Sequence, residues 1–338
     1  MTRTVLVTGV SRYLGARVAN TLQADPAVGR VIGIDAVPPK RPLGRTEFVR
    51  VDLRTSGIAA LIESASVDTV VHLSLVATPA GAGGRMSMKE SNVIGAMQLL
   101  GACQRAPSVR RLVVRSTSAV YGASPRDPGL FTESMEPHET PKTGYAKDAA
   151  EVEGYVRGLG RRRPDLWIAV LRFANFMGPT VDSPLTRYLR MPVVPTVLGF
   201  DPRLQFVHED DGVDVIRRMA TSDHTGLYNV AGHGVLLLSQ CLRRAGRVEL
   251  PLPAPLLRYG GGVARQAGLS DFSPEQLALL AHGRVMDCGK LERTLDWTPA
   301  HTTAEAYDDF VRTHGDGRNA PVEALDRLTE QLRAVMGR

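Results

Sequence analysis

The sequence predicts an α/β protein built on a doubly wound parallel sheet, followed by a smaller C-terminal lobe. Three observations predict it. Short β-branched runs alternate with longer helical patterns through the first half of the 338 residues. The runs are apolar almost throughout, as strands covered on both faces are. A glycine-bearing turn, Thr8-Gly9-Val10-Ser11-Arg12-Tyr13-Leu14-Gly15, joins the first run to the first helical pattern.

The expected strands are Thr4–Thr8, Arg30–Asp35, Glu47–Val51, Thr69–Leu73, Arg111–Arg115 and Leu166–Leu171. Leu14–Gln23, Gly57–Ser64, Met86–Gln104 and Gly144–Leu159 are long enough for the helices that join them. Right-handed crossovers then put helices on both faces of the sheet. After about Asn175 the texture changes, because Pro179, Pro184, Pro192, Pro195 and Pro202 interrupt long regular elements. Helical patterning returns at Asp211–Ala220, around Leu236–Arg244, at Thr302–Arg312 and in the terminal Pro321–Met336, and Tyr259–Gly262 reads as a loop. The expected organisation assigns 1–175 and 204–232 to the large sheet. The smaller lobe takes 176–203 and 233–316, and 317–338 forms a C-terminal helix.

Composition narrows the class. Apolar residues make up 43% and charged residues 22%, a globular mixture. No run approaches the roughly 18 to 20 apolar residues of a membrane span. The short, β-branched N-terminal stretch reads as a first strand and not as a signal peptide. Cys103, Cys241 and Cys288 lie far apart, and one would be left over from any pairing, which favours a reducing, cytoplasmic setting. No HExxH or CxxC spacing occurs, so no metal site is expected. The net charge of +6 is spread along the chain apart from Arg161-Arg162-Arg163, so a nucleic-acid partner is not expected.

The glycine turn carries the chemistry. Between a strand and a helix, such a turn aims backbone N–H groups and a helix N-terminus at a diphosphate. About twenty residues after Gly15 the second strand ends in Asp35, where an acid accepts both ribose hydroxyls of an adenosine. Together these point to a nicotinamide dinucleotide. Arg12 stands where a middle glycine normally lets the phosphates approach. Arg12 either pairs with a 2′-phosphate, favouring NADP, or contacts the diphosphate or solvent; Asp35 would repel a 2′-phosphate and favours NAD.

These residues, with others in order downstream, resemble the extended short-chain dehydrogenase/reductases, the NAD-dependent epimerase/dehydratase group with a Rossmann sheet. The later pieces are Val51-Asp52-Leu53, Val71-His72-Leu73-Ser74, Asn92 with Gly95, and Ser116-Thr117-Ser118-Ala119-Val120-Tyr121-Gly122. Lys147 with Glu151, Leu171 through Pro179, Phe206 through Asp211, Tyr228-Asn229-Val230 and Leu295 through Pro299 follow. The resemblance implies that Gly9, Arg12, Tyr13, Leu14, Gly15 and Asp35 hold the cofactor's adenosine and diphosphate. It also implies that Asp52 and Leu53 bracket the adenine, and that Leu73, Ser74 and Phe173 line the cofactor. Asn92 would support the site, Thr117 would hydrogen-bond the reacting oxygen, and Lys147 would hold the nicotinamide ribose. Asn175, and less directly Arg203, would meet a substrate diphosphate. Bland roles compete at several positions: Leu53 and Leu73 as sheet core, Asp52 as a cap, Thr117 as a strand-end hydroxyl, and His208, Trp297 and Pro299 as packing.

The family's acid/base pair is Tyr-x-x-x-Lys on one helix face. Aligning Lys147 and Glu151 with the family's Lys-x-x-x-Glu puts Thr143 at the tyrosine position. Tyr145 precedes Lys147 by two residues, about 200° of helix, so the two face apart. If Tyr145 is the acid/base, its lysine position holds Ala149. Tyr121, Glu133 and His138 are other candidates for a missing base. Two functions stay open: an NAD(P)-dependent epimerase, dehydratase or reductase acting on a nucleotide sugar or other small polar substrate, or a cofactor-binding regulatory protein without hydride chemistry. Relatives often dimerise through the helices that Met86–Gln104 and Gly144–Leu159 would form, so a homodimer is expected.

Overall fold

Apolar strands buried on both faces need helices on both sides of their sheet, and the chain supplies them in alternation. The computed structural model describes residues 2–77, 84–138, 140–257 and 274–315. The first elements are β1 (Arg3–Thr8), α1 (Tyr13–Leu22), β2 (Val28–Asp35), β3 (Glu47–Arg50), α2 (Gly57–Ser64) and β4 (Thr69–His72). Next come α3 (Gly84–Lys89), a π-turn (Glu90–Ile94), α4 (Gly95–Arg105), β5 (Arg111–Thr117), a 3₁₀ turn (Ser118–Tyr121), α5 (Gly144–Arg162) and β6 (Trp167–Phe173). The remainder holds β7 (Asn175–Met177), α6 (Pro184–Leu189), β8 (Val193–Val197), β9 (Arg203–Leu204), β10 (Phe206–His208), α7 (Glu209–Thr221) and β11 (Gly226–Val230). After these come β12 (Leu236–Leu237), α8 (Leu238–Arg244), β13 (Val248–Leu252), α9 (Pro274–His282), α10 (Gly289–Leu295) and α11 (Thr303–His314).

Seven strands form one sheet in the order β11-β6-β5-β4-β1-β2-β3, every neighbouring pair parallel. The order steps outward from β1 in both directions, which is the doubly wound Rossmann arrangement. Alternate strand residues feed two cores. Val5, Val7, Val71 and Val113 meet α1 and α7 on one face, whereas Leu6, Val70, Leu112 and Val114 meet α2, α4 and α5 on the other. A third cluster packs Met177, Tyr188, Leu204, Phe206, Cys241 and Tyr307 together around two-stranded sheets.

Three details refine the expectations. The proline-punctuated stretch holds only short elements: Ser183 and Thr186 form a capping box that starts the six-residue α6 with Pro184 in its first turn, and the five-residue β8 pairs in parallel with β13. The helix expected over Met86–Gln104 runs unbroken through a π-turn at Glu90–Ile94, flanked by helical residues on both sides. The large sheet also gains β11, whose alternation over five residues was too short to read as a strand. The loop at Tyr259–Gly262 and the terminal helix over Pro321–Met336 lie outside the described residues. Among the described residues, no helix is long and apolar enough to cross a membrane. All three cysteines are buried and free, and burial pushes the Cys103 and Cys241 thiols up to about 12.

One buried charge network ties α5 to the sheet. Arg172 of β6 donates to both Glu153 oxygens at 3.0 and 2.6 Å, and Ser116 Oγ donates to Glu153 Oε1 at 2.6 Å. The two charged side chains are only 7% and 4% exposed. The Arg172 guanidinium lies 4.6 Å from the Tyr121 ring centroid. Removing one partner of such a pair strands the other charge in the core. Glu153→Gln is therefore expected to cost about 3 kcal/mol of stability, read as a lowered urea midpoint. The apolar double variant Glu153→Leu/Arg172→Met is expected to lose less than either single change.

Candidate active site

The C-terminal edge of the large sheet opens into a cavity of about 720 Å³. Its floor is the glycine turn. Gly9 has a φ of +79°, and a methyl on Gly15 would run into the Gly9 carbonyl, so both positions require glycine. Thr8 organises the strands beneath. Its Oγ1 accepts from the Leu73 amide at 3.0 Å and from Ser74 Oγ at 2.8 Å, and it lies 3.0 Å from His72 Nδ1. With its acceptor capacity so used, the Thr8 hydroxyl donates to Nδ1, and His72 holds its remaining proton on Nε2. Asp35 ends β2 with its carboxylate on the Ser11 amide, at 3.2 Å, and the Val37 amide, at 3.4 Å.

Arg12, Tyr13, Leu14, Gly15, Leu73, Thr117, Tyr145, Phe173 and Asn175 all line this one cavity. Thr117 Oγ1 accepts from the Ala119 amide at 3.2 Å, capping the 3₁₀ turn and leaving its O–H free to donate. The Tyr145 ring packs beside Leu75 and Ala149, and its hydroxyl has no hydrogen-bond partner among the described residues. Asn92 is 1% exposed and acts through the frame. Its Oδ1 accepts from the Val76 amide at 2.8 Å, while its Nδ2 donates to Val76 O and Asp148 Oδ2, both at 3.0 Å. It thus joins the wall after β4 to α5.

The placement of Lys147 is the main correction. Its ammonium is 41% exposed, pairs with Glu151 at 3.8 Å, and does not line the cavity. The cause is the phase of α5. Glu153 is drawn into the sheet, so Ala149, Ala146 and Tyr145 follow it on the inward face and Lys147 turns away. Thr143, assigned to the tyrosine position from sequence, is exposed and precedes the helix. The inward pair is therefore Tyr145 with Ala149, four residues apart, and the lysine position holds a methyl group.

Other assignments also move. Arg203 is exposed on β9 and lies outside the lining, as do Asp52 and Leu53 and, at the glycine turn, Gly9, Asp35 and Ser74. Asp52 is held by Arg54 at 2.6 Å, and Leu53 packs on α4 at Gly95. Tyr121 and Glu133 are committed to structure: the Tyr121 hydroxyl donates to Asn229 Oδ1 at 2.8 Å, and Glu133 accepts from the Asn229 amide at 2.9 Å. His138 does not line the cavity.

Arg115, Phe176, Glu209 and Arg284 line the cavity and were not anticipated from sequence. Arg115 had a readable signal, as a cation that follows the apolar Leu112-Val113-Val114 run two residues before Thr117. Arg284 had none, since its place depends on tertiary contacts with Gly122 O and Ser118 Oγ.

His208, Asp211 and His301 bring ligand-type atoms within 4.8 Å of one another. The two imidazoles stack at 3.8 Å and 23°, so their nitrogen lone pairs run side by side and do not converge. His208 Nδ1 accepts from the Asp210 amide and Nε2 contacts Asp309, while His301 Nδ1 contacts Asp211. The cluster is a helix-terminus network at the start of α7.

A parallel sheet that presents a glycine turn, a ribose-type acid and a phenol at its C-terminal edge defines a dinucleotide-binding Rossmann protein. The family description "NAD dependent epimerase/dehydratase family" matches residues 5–231. The chain belongs to this family, whose cofactor is NAD and whose members include epimerases and dehydratases. An uncharacterized protein of Mycobacterium tuberculosis is 45% identical over 317 residues, covering 93% of this chain and 84% of its own. UDP-glucose 4-epimerase 2 of Oryza sativa subsp. japonica is 30% identical over 191 residues, covering 52% of this chain and 45% of its own. Among solved structures, UDP-glucose 4-epimerase of Thermotoga maritima superposes with a TM-score of 0.72 at 19% identity, covering 92% of this chain and 98% of that one. UDP-glucuronic acid 4-epimerase of Bacillus cereus, in complex with NAD, gives 0.68 at 18% identity, covering 92% and 98%.

The buried histidine under the turn makes a pH prediction. Burial lowers the His72 pKa from 6.5 to about 4. The folded value lies below the unfolded one, so the unfolded chain takes up the proton first. Stability from this group is complete above pH 6.5 and is lost as pH falls through 4, by about 3 kcal/mol. Urea titrations between pH 7 and 4 should show a shallower decline for His72→Gln than for the native chain.

Proposed function

We propose that the chain is an NAD-dependent oxidoreductase of the epimerase or reductase type, acting on a hydroxyl-bearing carbon of a nucleotide sugar or a similarly polar small molecule. The observation that carries it is the convergence of the glycine turn, Thr117 and Tyr145 on one cavity. The cavity fits the cofactor at both ends: Tyr13, Leu14 and Gly15 line it at the N-terminus of α1, where first-turn amides have no partner within the helix, and the phenol and the Thr117 hydroxyl stand free. Residues 1–175 and 204–232 would hold the cofactor, and 176–203 with 233–316 the substrate.

When bound, nicotinamide accepts and returns the hydride. Tyr145 moves the proton at its phenolic oxygen, and Thr117 donates its O–H to the same substrate oxygen, fixing the carbon's orientation. Asn175 and Phe176 close the side next to β6. The dehydratase variant of the chemistry is least supported, because the neighbours of Thr117 are Ser118 and Ala119 and carry no acid. The Thermotoga maritima and Bacillus cereus neighbours are a UDP-glucose and a UDP-glucuronic acid 4-epimerase, which makes UDP-sugars the first panel to assay.

Ala149 favours a second reading, a cofactor-binding protein with little or no turnover. Without an ammonium one helical turn from Tyr145, its phenol lacks the family's usual electrostatic help. Turnover of NAD with a UDP-sugar panel decides between the two. On the enzyme reading, Tyr145→Phe lowers kcat by about a hundredfold or more and leaves the NAD Kd within about twofold. Ala149→Lys raises kcat in the same assay. Bound NAD with no turnover in the native chain or in Ala149→Lys would reject the enzyme reading.

We also propose a homodimer through α4 and α5. Ile94 at the end of the π-turn, Met97 of α4 and Tyr155 of α5 are 43%, 47% and 39% exposed, an apolar surface a single chain leaves to water. Light scattering should give twice the mass of the 36.5 kDa chain, and Met97→Glu should return it to one.

A further inference from the structure

Two arginines face the same cavity, and among the described residues neither has a counter-charge at ion-pair distance. We propose that Arg12 and Arg115 form a two-guanidinium clamp bridged by an organic diphosphate. The inference deepens the cofactor reading above and rests on it.

Arg12 is the first residue before α1, in the glycine turn, with its amide on Gly9 O at 3.1 Å. Arg115 comes from β5, across the cavity floor. Its Nη1 donates to Leu75 O at 3.1 Å, its guanidinium stands 5.6 Å from the Phe176 ring centroid, and its Nε is buried without a hydrogen-bond partner. Burial disfavours the charged form of Arg12; Asp35 opposes that effect and Arg115 adds to it. The two cations are thus close enough to repel, in a site partly shielded from water.

The nearby acids are committed elsewhere. Asp35 acts on Arg12 from beyond ion-pair distance while accepting the Ser11 and Val37 amides. Glu209 takes Thr180 Oγ1 at 2.8 Å and Arg17 at 3.6 Å. Asp182 takes Arg187 at 2.6 Å and Arg190 at 3.1 Å. The third cation, Arg284, is turned onto Gly122 O and Ser118 Oγ. What the pair lacks is an anion.

A diphosphate suits it best. A guanidinium pairs with a phosphate through two parallel N–H donors, and two guanidinia from different elements match two linked phosphates. The first-turn amides of α1, next to Arg12, would address the same group. The side chain at position 12 then supplies part of the contact that a bare glycine turn leaves to its amides. The diphosphate could belong to the dinucleotide or to a nucleotide-diphosphate sugar, and the chemistry is shared.

The test is calorimetry on the full chain with NAD, ADP-ribose, AMP, UDP and NADP. Arg12→Ala and Arg115→Ala are each expected to weaken ADP-ribose and NAD by about ten- to a hundredfold and AMP by less than about threefold. Arg115→Lys should fall between, because it keeps the charge and loses the fork. Thermal unfolding without ligand should be unchanged or higher in the alanine variants, since a repulsion is removed. Dependence of UDP, and not of ADP-ribose, on the arginines would place the clamp on the substrate's diphosphate and still support it. Folded variants that bind every diphosphate like the native chain would overturn it, as would an arginine dependence confined to the 2′-phosphate of NADP. A native chain that binds UDP through the arginines but neither NAD nor ADP-ribose would end the cofactor reading alone; binding of no diphosphate at all would end both.

Discussion

The contact on which the site depends is the buried pair between Glu153 and Arg172. A carboxylate does not enter a sheet-facing position without a partner, and Arg172, braced on Tyr121, provides one at 2.6 Å. Once Glu153 is drawn inward, the rotation of α5 about its axis is set. Everything displayed by that helix follows: Tyr145 and Ala149 inward, Asp148 against Asn92, Lys147 and Glu151 outward. An interaction below the cavity thereby decides which side chain reaches it.

Much of the large sheet was legible because its signal is local. β1, β2, β4 and β5 are apolar runs ended by turns, and the glycines at 9 and 15 mark a backbone path closed to other residues. The elements that escaped have the opposite character. β9 and β12 are two residues each and exist only as partners of one another. The π-turn is a register change inside a continuous helical pattern, and it carries Asn92.

The candidate site was legible where a motif resides in backbone shape and misleading where it resides in helix phase. Lys147 with Glu151 matches a family spacing, but spacing on a helix says which residues share a face, not which face meets the sheet. That information sat 19 residues apart in the chain, in the hydrogen bonds from Arg172 to Glu153. Arg115 and Arg284 illustrate a related limit. A cation after a run of apolar strand residues looks like an edge residue until the strand's end is known to open into a cavity.

Asn92 has a mechanical consequence. Its three hydrogen bonds weld the backbone at Val76 to α5 through Asp148, so the wall on that side and the helix bearing the phenol move as one body. The opposite bank is formed by Val181 through Leu185 and by Ala278 and Leu279 of α9. Tyr145 therefore stands on the braced bank of the cavity, with α5 tied to the backbone after β4.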